Sequence, residues 1–96
     1  MANDELRLRV PEPVAYRTFG DELVLLNVET GQYHGLNPTA RRMFEAVVER
    51  SSTAGVATQL AQEYGRPETE ISSDLDTLCQ ALIERGLLER IESDDR

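Results

Sequence analysis

The apolar period of this 96-residue chain changes once, at Asn37-Pro38, and the change divides it into a strand-rich N-terminal third and a helical remainder. Asn can cap free N–H groups, and Pro is tolerated at the first helical position, where its missing donor is not needed. Upstream, residues 14–19 and 22–28 are rich in β-branched, aromatic and aliphatic side chains. Gly20-Asp21 between them can supply a two-residue hairpin turn. Glu29-Thr30-Gly31 fits a three-residue loop with glycine at the left-handed position, returning the chain as a third strand over 32–36. A three-stranded antiparallel meander is expected.

Downstream, Ala40, Met43, Phe44 and Val47 follow the spacing of one buried helical face, predicting a first helix to about Arg50. Ser52 or Thr53 is expected to cap a second helix with Val56, Leu60, Ala61 and Tyr64 inward, ended by Gly65 and Pro67. A third takes Ile71, Leu75, Leu78 and Leu82 as its inner stripe, with Glu68, Glu70, Asp74 and late Arg85 complementing its dipole and Gly86 as the left-handed stop. The expected fold is α+β and winged-helix-like, a three-stranded antiparallel β-meander followed by three α-helices. Residues 14–89 form this domain, 1–13 a flexible tail or a short edge strand, and 90–96 an acidic C-terminal tail.

A chain of this length suits one small domain and leaves little room for a deep catalytic cleft. No apolar run approaches the roughly 18 residues that cross a bilayer, and no secretory segment opens the chain, so a cytoplasmic protein away from membranes is expected. Net charge is -8, and every cation is an arginine. An acidic surface repels nucleic-acid phosphates unless its few cations cluster, so a basic or neutral peptide is the more natural partner. A DNA-binding winged-helix regulator shares the fold outline, but its recognition helix is basic, and here residues 68–84 carry no arginine or lysine.

Candidate chemistry is sparse. His34 is the single histidine, too little for a zinc site, and Cys79, beside an apolar stripe, reads as a small buried thiol. Asp74, Asp76 and Glu84 read as a solvated helix face, Gly31 and Gly35 as turn and packing glycines, and Arg41-Arg42 as surface cations. No convergent nucleophile, base or metal set emerges, so neither enzyme activity nor a cofactor is expected. The informative feature is the third strand, expected at a sheet edge, where unpaired N–H and C=O groups can accept a guest strand beside a helix.

The run Gly31-Gln32-Tyr33-His34-Gly35-Leu36-Asn37-Pro38-Thr39-Ala40 resembles the signature of the PqqD-like proteins: a glycine, an aromatic pair, Leu-Asn, and a small residue opening a helix. Ala57, Leu60, Tyr64, Ile71, Asp74, Leu75, Leu78, Leu82 and Gly86-Leu87-Leu88 match the family's closing pattern, so the resemblance covers residues 14–89. It implies a recognition element for ribosomally synthesised, post-translationally modified peptides, which clamps a leader peptide as an added strand in a groove shared with the third helix. Similar stand-alone members work beside a separate leader peptidase and a macrolactam-forming cyclase in lasso-peptide pathways, or beside a radical-SAM enzyme in quinone-cofactor pathways. The intact Gly-Gln-Tyr-His-Gly-Leu-Asn run looks more like the lasso group. Carried over, the resemblance places the guest along Gln32, Tyr33, His34, Gly35 and Leu36, with Leu75, Leu78, Cys79 and Leu82 lining the groove and Asp74 and Asp76 pairing with a leader cation.

Overall fold

The computed structural model describes residues 6–91. Elements run in the order β1 (Leu8–Arg9), β2 (Val14–Phe19), β3 (Glu22–Asn27), β4 (Tyr33–Leu36), α1 (Pro38–Arg50), α2 (Val56–Tyr64), α3 (Glu68–Glu84) and β5 (Glu89–Arg90). The fold is α+β: an antiparallel sheet of order β2-β3-β4 followed by three helices. Gly20, at positive φ of 61°, opens the two-residue turn that sets Phe19 opposite Glu22.

Two strands are shorter than expected at the second hairpin. Residues 22–28 and 32–36 were the sequence bounds, whereas β3 ends at Asn27 and β4 begins at Tyr33. The cause is the Asn27 side chain, whose Oδ1 accepts the N–H groups of Glu29 at 2.9 Å and Thr30 at 3.2 Å. This Asx-type turn folds the chain before Val28 can extend β3. Gln32 is drawn into the same loop, donating its N–H to Thr30 Oγ1 at 3.2 Å.

Helix α1 packs on one face of the sheet, and α2 and α3 pack against α1 and each other. Asn37 caps α1 by accepting the Ala40 N–H at 2.8 Å, and Met43, Phe44, Ala46 and Val47 are buried beneath Leu23, Leu25 and Leu36. Arg42 donates to both carboxylate oxygens of Glu63, at 3.1 and 2.9 Å, tying α1 to α2. The expected caps of α2 do something else. Ser52 Oγ accepts the Ala54 N–H and Thr53 Oγ1 accepts the Leu6 N–H, so Gly55 opens the helix with no side-chain cap. Tyr64, expected inward, is exposed at the helix end. On α3 the inner stripe is Ile71, Leu75, Cys79 and Leu82; Leu78, one residue before Cys79, is only partly covered.

The N-terminal segment is laced into the fold. Arg7 bridges Ser52, the Leu8 N–H donates to Ser51 O at 3.0 Å, and β1 pairs with β5 on its other side. Leu8 is wholly buried between them. Residues 1–5 and 92–96 of the expected tails lie outside the described residues. Filling the Leu8 position closes one end of the core, so Leu8→Ala should cost about 2–5 kcal/mol of unfolding free energy. Urea unfolding followed by circular dichroism checks this; a loss below about 0.5 kcal/mol, the ordinary surface range, would make residues 6–9 a dispensable tail.

Candidate functional site

The site begins with hydrogen-bond phase. In an antiparallel pair every second residue exchanges main-chain bonds with its opposite number. Asn27 donates its N–H to Gln32 O at 2.9 Å, and the register then pairs Leu25 with His34 and Leu23 with Leu36. These are the bonded pairs. Tyr33 and Gly35 therefore turn their N–H and C=O groups outward, along an edge that has no further strand among the described residues. Gln32 is not part of that edge, because its N–H and carbonyl are used inside the loop.

Side-chain alternation runs separately. Leu36 and His34 share the inner face with Leu23 and Leu25, and Leu36 is buried while His34 is half-covered at the rim. Partial burial, and then the positive charge of Arg85, lower the His34 pKa below its ordinary value. The imidazole is neutral at pH 7. Arg85, just past the end of α3, is thus within electrostatic reach of His34. Counting back by helical spacing, Ala81, Leu78 and Asp74 lie along the flank that bears Arg85. Leu78 and Ala81 are partly covered and Asp74 and Arg85 exposed, so this flank is a strip with an apolar middle and charged ends.

The expected groove residues separate accordingly. Leu75, Cys79 and Leu82 are 3%, 2% and 0% exposed, so they belong to the core beneath the strip rather than to its surface. Leu78 is the member of that group left accessible. Asp74 sits beside Arg66, 3.5 Å away, within the Arg66–Glu70 ion pair. Asp76 is about 200° of helix rotation before Leu78 and is turned away from the strip. Ala81 and Arg85 were not singled out from the sequence. The signal for both lies in the spacing from Leu78, whereas taken alone Arg85 is a charge suited to a helix end.

One contact ties the central strand to the end of α3. Asn27 Nδ2 donates to Gly86 O at 2.9 Å, joining the end of β3 to the chain just past α3. Gly86 is at positive φ of 72°, and a Cβ there would lie 3.3 Å from Asn27 Nδ2, so both conformation and space call for glycine. Other candidates are engaged elsewhere. Arg41 donates to Glu45 and to Gly20 O, and Arg42 to Glu63. Among the described residues no group of three or more His, Cys, Asp or Glu could hold a metal ion, and no helix is long and apolar enough to cross a membrane.

A small α+β module with a strand edge left unpaired among the described residues has the geometry for strand addition. The chain belongs to the PqqD family, matching coenzyme PQQ synthesis protein D (PqqD) over residues 22–88. Among solved structures, that of TbiB1 in complex with the TbiA(beta) leader peptide is similar with a TM-score of 0.78 and 26% identity, over 88% of this chain and 99% of that one. A lasso peptide synthetase B1 complexed with the leader peptide gives a TM-score of 0.77 and 28% identity, over 85% and 96% of the two chains. No curated protein matches the chain.

Burial, and then the charge of Asp76, push the Cys79 thiol up to about 11, so the thiol is neutral at pH 7. It should react with Ellman's reagent only as fast as the core opens. The native protein is expected to remain unlabelled while the urea-unfolded chain labels at once; rapid labelling without urea would place Cys79 on the groove surface after all.

Proposed function

We propose that this protein binds the leader segment of a ribosomally synthesised precursor peptide as a strand added to β4, and holds it without catalysis for separate enzymes. The observation that carries the reading is the outward pair Tyr33 and Gly35, whose main-chain groups have no partner strand among the described residues. Main-chain bonds supply general affinity for a strand, and the strip receives alternate side chains of the guest. Both solved neighbours contain a leader peptide, and the identities of 26% and 28% over most of the chain support the lasso-peptide branch. The partners would then be a leader peptidase and a macrolactam-forming cyclase, in the cytoplasm. Asp74 and Arg85, at the two ends of the strip, are suited to pair with charges on the leader.

Hydrogen-bond phase makes the test specific. Tyr33 opens β4 with its N–H facing away from β3, a position where proline is tolerated in a sheet. Tyr33→Pro should therefore fold and bind a synthetic leader of the neighbouring precursor gene roughly fivefold or more weakly than Tyr33→Ala, the cost of one lost net hydrogen bond. His34→Pro should instead destabilise the fold, because the His34 N–H belongs to the β3–β4 ladder. Fluorescence anisotropy and urea unfolding separate the two effects. Amide shifts on leader addition should concentrate in residues 33–36 and along 74–85; shifts confined to α1 would sink the proposal.

A further inference from the structure

Asn27 and Leu25 stand two residues apart on the inner face of β3. Leu25 sets the place of His34, its partner in the ladder, and Asn27 sets that of Gly86, whose carbonyl it holds at 2.9 Å. Arg85, next to Gly86, is fixed through its backbone as well, donating its N–H to Ala81 O at 3.2 Å. Its guanidinium is left over. Arg9, Arg41, Arg42 and Arg66 are ion-paired with Glu89, Glu45, Glu63 and Glu70, and Arg50 donates to Gln59. Among the described residues the exposed Arg85 side chain has neither a carboxylate nor a hydrogen-bond partner. A chain of net charge -8 thus keeps an uncompensated cation within reach of the imidazole on its open strand.

Hydrogen-bond phase decides which part of a guest meets these groups. In an antiparallel guest, the residues opposite Tyr33 and Gly35 exchange main-chain bonds with them, and their side chains follow those positions to the outer face. The guest residue between them lies opposite His34 in a non-bonded pair, where Cα atoms stand about 4.5 Å apart and side chains are closest. That residue shares the inner face with His34 and comes within the same reach of Arg85. A carboxylate there meets a guanidinium with no other partner and an imidazole N–H beside it, whereas an amine or guanidinium meets a like charge. We propose that the leader carries an aspartate or glutamate opposite His34, and that Arg85, with His34 beside it, selects leaders by that carboxylate. This rests on the leader-binding reading above and runs against the preference for basic guests that the overall charge imposes.

The test uses the intact chain and synthetic leaders of the neighbouring precursor gene, native and with each Asp or Glu changed singly to Asn or Gln. Expected is one leader position at which the amide weakens binding roughly three- to fivefold by anisotropy, the range for an exposed charge pair, and at which Arg85→Gln adds no further loss. Arg85→Glu should be rescued by lysine at that same position of the leader. His34 is the single histidine, so its imidazole signals are unambiguous in NMR titrations. Its pKa should be higher by about 0.5 or more with the native leader than with the amide leader, because a carboxylate favours the imidazolium. The preference for the native leader then widens as pH falls through that value. A leader without an acidic residue, or one whose amide variants all bind as the native does, overturns the proposal and leaves leader binding standing. An equal loss of native and amide leaders on Arg85→Gln, or one His34 pKa in both complexes, overturns it as well. Absence of leader binding by the wild-type chain takes down both this proposal and the reading beneath it.

Discussion

The Asn27 carboxamide is the junction on which the geometry of this protein depends. It is the buried polar side chain among the described residues, and all of its contacts are structural. Its oxygen closes the loop between β3 and β4, and its nitrogen reaches the carbonyl of Gly86 beyond α3. A buried amide left without partners would cost about 1–3 kcal/mol, so the carboxamide has strong reason to keep both engagements. The consequence is positional. The β3–β4 loop and the chain just past α3 are held to one another through a single side chain.

The elements themselves were legible in the sequence because local chemistry and tertiary packing agree there. Asn37-Pro38 starts α1, Gly20-Asp21 turns the first hairpin, and Gly65 and Gly86 end α2 and α3 at positive φ, each for a reason contained within a few residues. Departures occur where a polar side chain bonds to something distant in sequence. Thr53 is a sound N-cap by residue type, yet its hydroxyl serves Leu6, 47 positions away. Asn27 likewise shortens both strands of its hairpin through a turn that strand propensity does not register.

The candidate site was legible as a place and not as a set of side chains. Edge position of the third strand followed from the order of elements, while the division of α3 between core and groove did not. Leu75, Leu78, Cys79 and Leu82 form one broad apolar stripe by spacing, and periodicity alone cannot say which margin is covered. Burial of Cys79 and exposure of Leu78 decide it, because a stripe centred between Leu75 and Cys79 leaves Leu78 on the flank shared with Ala81 and Arg85. Asp74 and Asp76 looked equivalent in sequence. Two residues of helix rotation place them on opposite sides.

Edge length sets how such a module can achieve affinity. Only Tyr33 and Gly35 face outward on β4, offering four main-chain groups, each worth about 0.5–1.5 kcal/mol net when bonded. Together these give roughly 2–6 kcal/mol, whereas a micromolar complex requires about 8 kcal/mol after the cost of ordering a free peptide. Backbone pairing alone therefore cannot hold a leader. In the proposed binding mode the remainder comes from side-chain contacts, for which the Leu78–Ala81 strip and the charges at its ends, Asp74 and Arg85, are the groups on offer. In the proposed binding mode selectivity resides on α3 rather than on the strand: β4 would fix the register of a guest through groups common to all peptides, and the helix flank would discriminate among them. The overall charge of -8 adds a long-range preference for basic guests. With Arg85 the exception at one end, a leader cation gains most near Asp74, and the two ends of the strip favour one direction of the guest over the other.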